Sequence, residues 1–90
     1  MTFFFTELKL MSGQALGTVN MPKLSKNSQG EAVKILQLLL DNFHGYSIGV
    51  DGIFGSNTEN AVKDFQNSRD FVNDPPGVVG YQTWEALANR

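Results

Sequence analysis

The chemistry open to a protein begins with its nucleophilic, titratable and metal-ligating side chains, and this chain carries few of them. His44 is the only histidine and cysteine is absent. That excludes a thiol nucleophile, a zinc–thiolate site, an iron–sulfur cluster, a disulfide and a His-pair metal site. His44 falls at the end of a helical stretch, where a cation favours the helix dipole, and nothing near it marks a ligand or a base. Asp51 stands before Gly52 and reads as a turn-former. An EF-hand over residues 41–52 fails, because Phe43 and Gly45 stand where oxygen ligands are needed. No Ser/His/Asp arrangement, paired-carboxylate spacing or phosphate loop emerges. The chain is therefore expected to be no enzyme and to use neither cofactor nor metal.

What remains is recognition chemistry. The chain repeats itself: residues 45–62 align without gaps onto 70–87, a shift of 25. Gly52, Gly55, Thr58 and Ala61 meet Gly77, Gly80, Thr83 and Ala86; Tyr46 meets Phe71. A second echo sets 32–37 onto 61–66, so that Gln37 and Gln66 are equivalent. Each unit holds a G-[IV]-[FV]-G turn that opens a helix. The glycines permit a tight turn, expected to push Ile53-Phe54 and Val78-Val79 inward as plugs. Thr58 and Thr83 can return a hydroxyl hydrogen bond to the turn. Beyond this architectural role, the exposed helix starts could form a small anion or carboxylate site. A glutamine beside an apolar stripe most often satisfies a loop backbone. Where one unit has Ser56 and Glu59, the other has Tyr81 and Trp84. Paired positions should share exposure, which puts two aromatics on a solvated face suited to sugar rings or peptide backbones. The competing reading has Trp84 filling core space beside Leu87.

Composition limits the partners. The 41% hydrophobic content is that of a globular chain, and 90 residues make one small domain. Nine acidic against seven basic residues, with no basic run, argue against nucleic acid. The G-x-x-G inserts are apolar, unlike those of an RNA-clamping loop. No segment approaches a membrane span. The Phe3-Phe4-Phe5 run meets Glu7 at once and lacks the flanks of an export signal.

The elements that must position these residues are helical. Val33, Leu36, Leu40 and Phe43 recur at steps of three and four, predicting a helix near 30–43. Ile35 and Leu39 widen its apolar arc, so this helix is expected to be packed on more than one side. A second helix near 57–69 shows Thr58, Ala61, Val62 and Phe65 at i, i+3, i+4, i+7. Ser56 and Glu59 suggest a capping box, and Glu59 with Lys63 an i, i+4 ion pair. A third helix near 81–89 carries Trp84, Leu87 and Ala88. Residues 73–77 form a breaker cluster. The expected fold is all-α: a closed three-helix bundle over 23–90 with two G-x-x-G turn/helix repeats. Residues 1–22 are read as an N-terminal extension, partly ordered, with one short strand between Thr2 and Leu10.

Five blocks then stand together: Leu24-Ser25 to Gly30; Val33-Lys34-Ile35-Leu36-Gln37; Val50 to Thr58; Ala61-Val62-Lys63-Asp64-Phe65-Gln66; and Gly77-Val78-Val79-Gly80-Tyr81-Gln82-Thr83-Trp84. Over about 23–90 this pattern resembles the peptidoglycan-binding domain, a three-helix module attached to many bacterial cell-wall hydrolases. The resemblance implies non-catalytic binding of cell-wall glycan or stem peptide through a shallow groove. It implies peptidoglycan as partner, with a wall hydrolase or other protein alongside, in the cell envelope or periplasm, while the cytoplasm stays open. On this reading Tyr46, Phe54, Tyr81 and Trp84 supply aromatic contacts, and Asp51, Gln66 and Gln82 hydrogen bonds. An alternative keeps the fold without the wall ligand and makes the chain a protein-interaction module, with the apolar extension (Phe3, Phe5, Leu8, Leu10) as its arm.

Overall fold

The computed structural model describes residues 21–89, together with the backbone of 10–11 and 13–14. The extension proposed for 1–22, with its strand and its interaction arm, lies almost wholly outside the described residues. From residue 21 on, the structure is a three-helix bundle. Helix α1 spans Glu31–Leu38 and runs on into a π-helical turn, Leu39–Phe43; α2 spans Ser56–Asn67; α3 spans Tyr81–Leu87.

The buried residues are mostly those the helical spacing selects, except that on α3 Ala86 is buried and the expected Ala88 only half-buried. Val33, Leu36 and Leu40 come from the first helix, Ala61, Val62 and Phe65 from α2, and Trp84, Ala86 and Leu87 from α3. Each large apolar side chain so buried contributes about 1.5–3 kcal/mol. Two expectations for the first helix do not hold. The i→i+5 turn is looser than an α-turn, and it rotates Phe43 off the stripe, leaving it substantially exposed. The wide apolar arc is only partly buried: Leu39 is half-buried against the core, but Ile35 is 42% exposed. His44, just past the π turn, sets its ring edge-on to Phe65 with centroids 4.8 Å apart. Its Nε2 lies 2.9 Å from the Leu87 carbonyl, tying the end of the first helix to the end of α3. Arg69 closes over the Phe65 ring at 4.6 Å, a cation–π contact.

The two turns enter the core by alternation. Phe54 and Val79 are fully buried, whereas Ile53 is 52% exposed and Val78 only half-buried. Both residues of each pair were expected inside. Extended backbone sends successive side chains to opposite faces, so one residue of each pair plugs the core and its neighbour faces out. The backbone is extended because each turn pairs with the same stretch of chain. Leu24 exchanges two hydrogen bonds with Val79 (3.1 and 2.8 Å). Gln29 forms an antiparallel bridge with Ile53, flanked by Asn27 N–H to Phe54 O and Phe54 N–H to Ser28 O. Residues 22–29 are thus a strap that holds both turns, and Trp84 Nε1–H donates to its Pro22 carbonyl at 2.8 Å.

Local signals at the start of α2 also resolve differently. Gly55, not Ser56, is the N-cap, so Ser56 is already helical and no capping box forms. Glu59 and Lys63 form no ion pair among the described residues; their stems instead lie over Gly77, 3.3 Å from where a Cβ would stand. Lys34 lies over Gly52 in the same way, at 3.2 Å. Gly52 and Gly77 have φ of +77° and +80°, a region that L side chains rarely adopt. Each repeat therefore demands glycine twice over at this position, by conformation and by contact.

Candidate functional site

Two buried glutamines build the turns. On α1, Gln37 Nε2 donates to Asp51 Oδ1 (3.0 Å), Ile53 O (3.0 Å) and Thr58 Oγ1 (3.1 Å). Its Oε1 accepts from the Asp51 and Gly52 N–H groups at 3.0 and 2.9 Å. On α2, Gln66 Nε2 donates to Pro75 O (3.3 Å), Val78 O (2.9 Å) and Thr83 Oγ1 (3.0 Å), and Oε1 accepts from Gly77 N–H at 2.9 Å. Each glutamine thus ties the turn after its own helix to the threonine of the next. The expected loop-satisfying role of Gln37 and Gln66 is what the structure shows.

Around the first turn the surface opens into a shallow depression of about 150 Å³. Ile48, Asp51 and Ile53 line it together with Gly55, Asn57 and Thr58 from the start of α2. Asp51 Oδ1 also accepts from Ile53 N–H at 3.0 Å. That bond, and then the one from Gln37, hold the Asp51 carboxyl below the usual carboxylate range, so it is charged at neutral pH. Among the described residues no cluster of three His, Asp or Glu side chains could hold a metal, and no helix is long and apolar enough to cross a membrane.

Of the seven residues expected to bind, only Asp51 lines this depression. Tyr46 is half-buried; its hydroxyl donates to Asp64 Oδ2 at 2.7 Å. Burial and then this bond push the phenol up to about 12. Tyr81 is 64% exposed at the start of α3. The Gln82 side chain is half-buried and accepts from Asn73 N–H at 2.6 Å. Phe54 and Trp84 are core residues, Trp84 only 3% exposed, and Gln66 has both ends of its amide engaged inside. A surface ligand does not reach these three. The repeat misleads at Trp84 because its counterpart Glu59 is itself half-buried and lies over Gly77. Sequence reasoning did not single out Ile48, Ile53, Asn57 or Gln37 as lining a site. The signal that could have found them was the Thr58 position, two residues into a helix that starts beside an acidic turn.

Both turns are stapled to the bundle by buried glutamine amides, and an open depression borders the first of them. The comparisons give the family: the model of the peptidoglycan binding domain matches residues 29–87, and the chain belongs to that family. The N-terminal domain of SleB, a solved structure, is 31% identical, with a TM-score of 0.66 over 76% of this chain and 90% of that one. The endolysin of Burkholderia phage AP3 is 34% identical, with a TM-score of 0.67 over 76% of this chain and 25% of the endolysin. A Kitasatospora aureofaciens protein described as "Uncharacterized protein in bpoA1 3'region" is 43% identical over 67 residues. The chain spans about half of that relative's length, 55%.

Proposed function

We propose that this protein is a non-catalytic module that docks on peptidoglycan through the depression at the start of α2. Membership of the peptidoglycan-binding family supports the wall as ligand. The observation that carries the location is that the depression is edged by hydrogen-bonding groups on a backbone fixed by Gln37. A polar, preformed surface of this kind loses little entropy on binding. Tyr81, exposed on α3, offers a separate face for a sugar ring. A site this shallow binds weakly, in the micromolar to millimolar range, about −8 to −4 kcal/mol. Such an affinity suits a module that concentrates an attached or associated wall hydrolase at the cell envelope. The endolysin, in which the matching part is a quarter of the chain, is consistent with that role. Co-sedimentation with purified sacculi tests the reading. Retention that soluble muropeptides compete away is expected; a chain that stays in the supernatant at every sacculus concentration refutes it.

A further inference from the structure

One of the differences between the two repeats indicates what the open one binds. In the second repeat Asp74 reaches back over the start of α3. Its Oδ2 accepts from Gly80 N–H (3.0 Å), Thr83 N–H (2.8 Å) and the Thr83 hydroxyl (2.7 Å). A Cβ on Gly80 would stand 2.8 Å from Asp74 Oδ1, so the carboxylate fills the space over that glycine. In the first repeat nothing lies within 4 Å of the corresponding position on Gly55. Gly55 N–H turns back to Ile53 O at 3.1 Å, and Thr58 N–H meets no acceptor among the described residues. Thr58 is 3% exposed. Its Oγ accepts from Gln37, while its own proton, the one Thr83 gives to Asp74, meets no acceptor among the described residues. A buried hydroxyl with an unspent proton is costly, and this one borders the depression.

The missing occupant is not a second carboxylate. The first repeat carries its acid at Asp51, beside the empty place, where the second has Pro76. Lys34, whose stem crosses this turn, is paired to Glu31 at 3.4 Å. An anionic ligand would face a like charge at short range. A neutral group that accepts on one side and donates on the other fits both walls. We propose, resting on the cell-wall reading above, that the depression binds a secondary amide. The amide carbonyl takes the place of the Asp74 oxygen and accepts from Thr58 N–H and the Thr58 hydroxyl, and the amide N–H donates to Asp51. Ile48 and Ile53 offer apolar walls to the carbon atoms beside it. The acetamido groups of the glycan and the amides of the stem peptide share this chemistry.

Saturation-transfer NMR on the full chain tests it with three probes: an N-acetylglucosamine oligosaccharide, its de-N-acetylated counterpart, and a blocked stem peptide. Transfer to the acetamido methyl or to the peptide is expected, and the one that receives it identifies the source. If the acetamido methyl receives it, the de-N-acetylated oligosaccharide should bind at least tenfold more weakly than the acetylated one. Gly55→Ala fills the empty place and Asp51→Asn replaces the acceptor with a donor while keeping an oxygen for Ile53 N–H. Each should weaken binding at least tenfold, with circular dichroism and melting showing folded protein. Where the oligosaccharide receives transfer, equal binding of its acetylated and de-N-acetylated forms overturns the proposal; wild-type binding by either variant overturns it whichever probe binds. So does wild-type protein that sediments with sacculi but binds none of the probes. Protein that fails to sediment at all overturns the cell-wall reading itself, and the site with it.

Discussion

The two repeats use the same parts in the same places and finish differently. Both have a helix glutamine that spans a turn, a glycine at φ near +80° under a lysine stem, a buried plug, and a threonine that accepts from the glutamine. The second repeat then caps its helix with its own Asp74, while the first leaves the equivalent Thr58 donors without an acceptor among the described residues, lining the same depression as Asp51. The helix after the closed repeat is short, seven residues, and has no acidic residue in its first turn. The helix after the open repeat has twelve residues and carries Glu59 near its start, a charge that favours the helix dipole. A short helix gains more from a fixed cap, because fewer internal bonds hold it. In these terms the second turn uses its acid on its own helix, and the first does not.

The largest expected effect falls where the repeats are alike. Gln37→Ala and Gln66→Ala each strand several buried turn groups and should each cost about 3 kcal/mol in denaturant unfolding. A glutamine whose loss costs nothing would show that its turn is held by other contacts and that the two are not equivalent. The next effect falls where they differ. Gly80→Ala should cost about 1–2 kcal/mol by displacing the Asp74 cap. Gly55→Ala should cost less than about 1 kcal/mol, since nothing in the protein occupies that space. Combining Gly80→Ala with Asp74→Ala should cost less than the two separate losses added together; strict additivity would remove the steric explanation.

Two smaller effects follow from titration. The folded Asp51 carboxyl lies below its ordinary value near 3.8. Its contribution to stability is fully present above that value and is lost as pH falls through the folded value. Asp51→Asn should therefore flatten the acid side of the stability–pH curve; an unchanged slope would mean that Asp51 contributes nothing there. Tyr46, raised to about 12, works in the opposite sense. Its contribution is present below about 10 and is lost as pH rises through about 12. Phe71, its counterpart, has no hydroxyl to titrate. Absorbance titration of a Tyr81→Phe variant isolates the Tyr46 phenol, and a midpoint near 10 would contradict the Asp64 hydrogen bond.

Periodicity made most of the fold legible. The α2 stripe of Thr58, Ala61, Val62 and Phe65 is buried as its spacing requires, and all three helices begin within a residue or so of their expected starts. The π turn was not legible, because a one-residue change in hydrogen-bond register leaves no mark in composition; Phe43 was misplaced for that reason. Ile53 and Val78 were misplaced because extended pairing with residues 24–29 is a tertiary fact. The repeat also gave the glutamines their role, since equivalent amides beside equivalent turns have few other uses. It failed at Trp84, which is buried in the core while its counterpart Glu59 is only half-buried. Asp74 was hidden by lying in a breaker cluster, where an aspartate reads as turn chemistry and not as a cap for a helix that starts seven residues later.

The open repeat is proposed as the one that meets the wall, and amide shifts read this directly. In a nitrogen-labelled sample titrated with soluble muropeptides, the Gly55 and Thr58 N–H signals should move in proportion to occupancy. The Gly80 and Thr83 signals, already bound to Asp74, should stay in place. Movement at Thr83 with Thr58 unmoved, under conditions where the muropeptides bind, would contradict it.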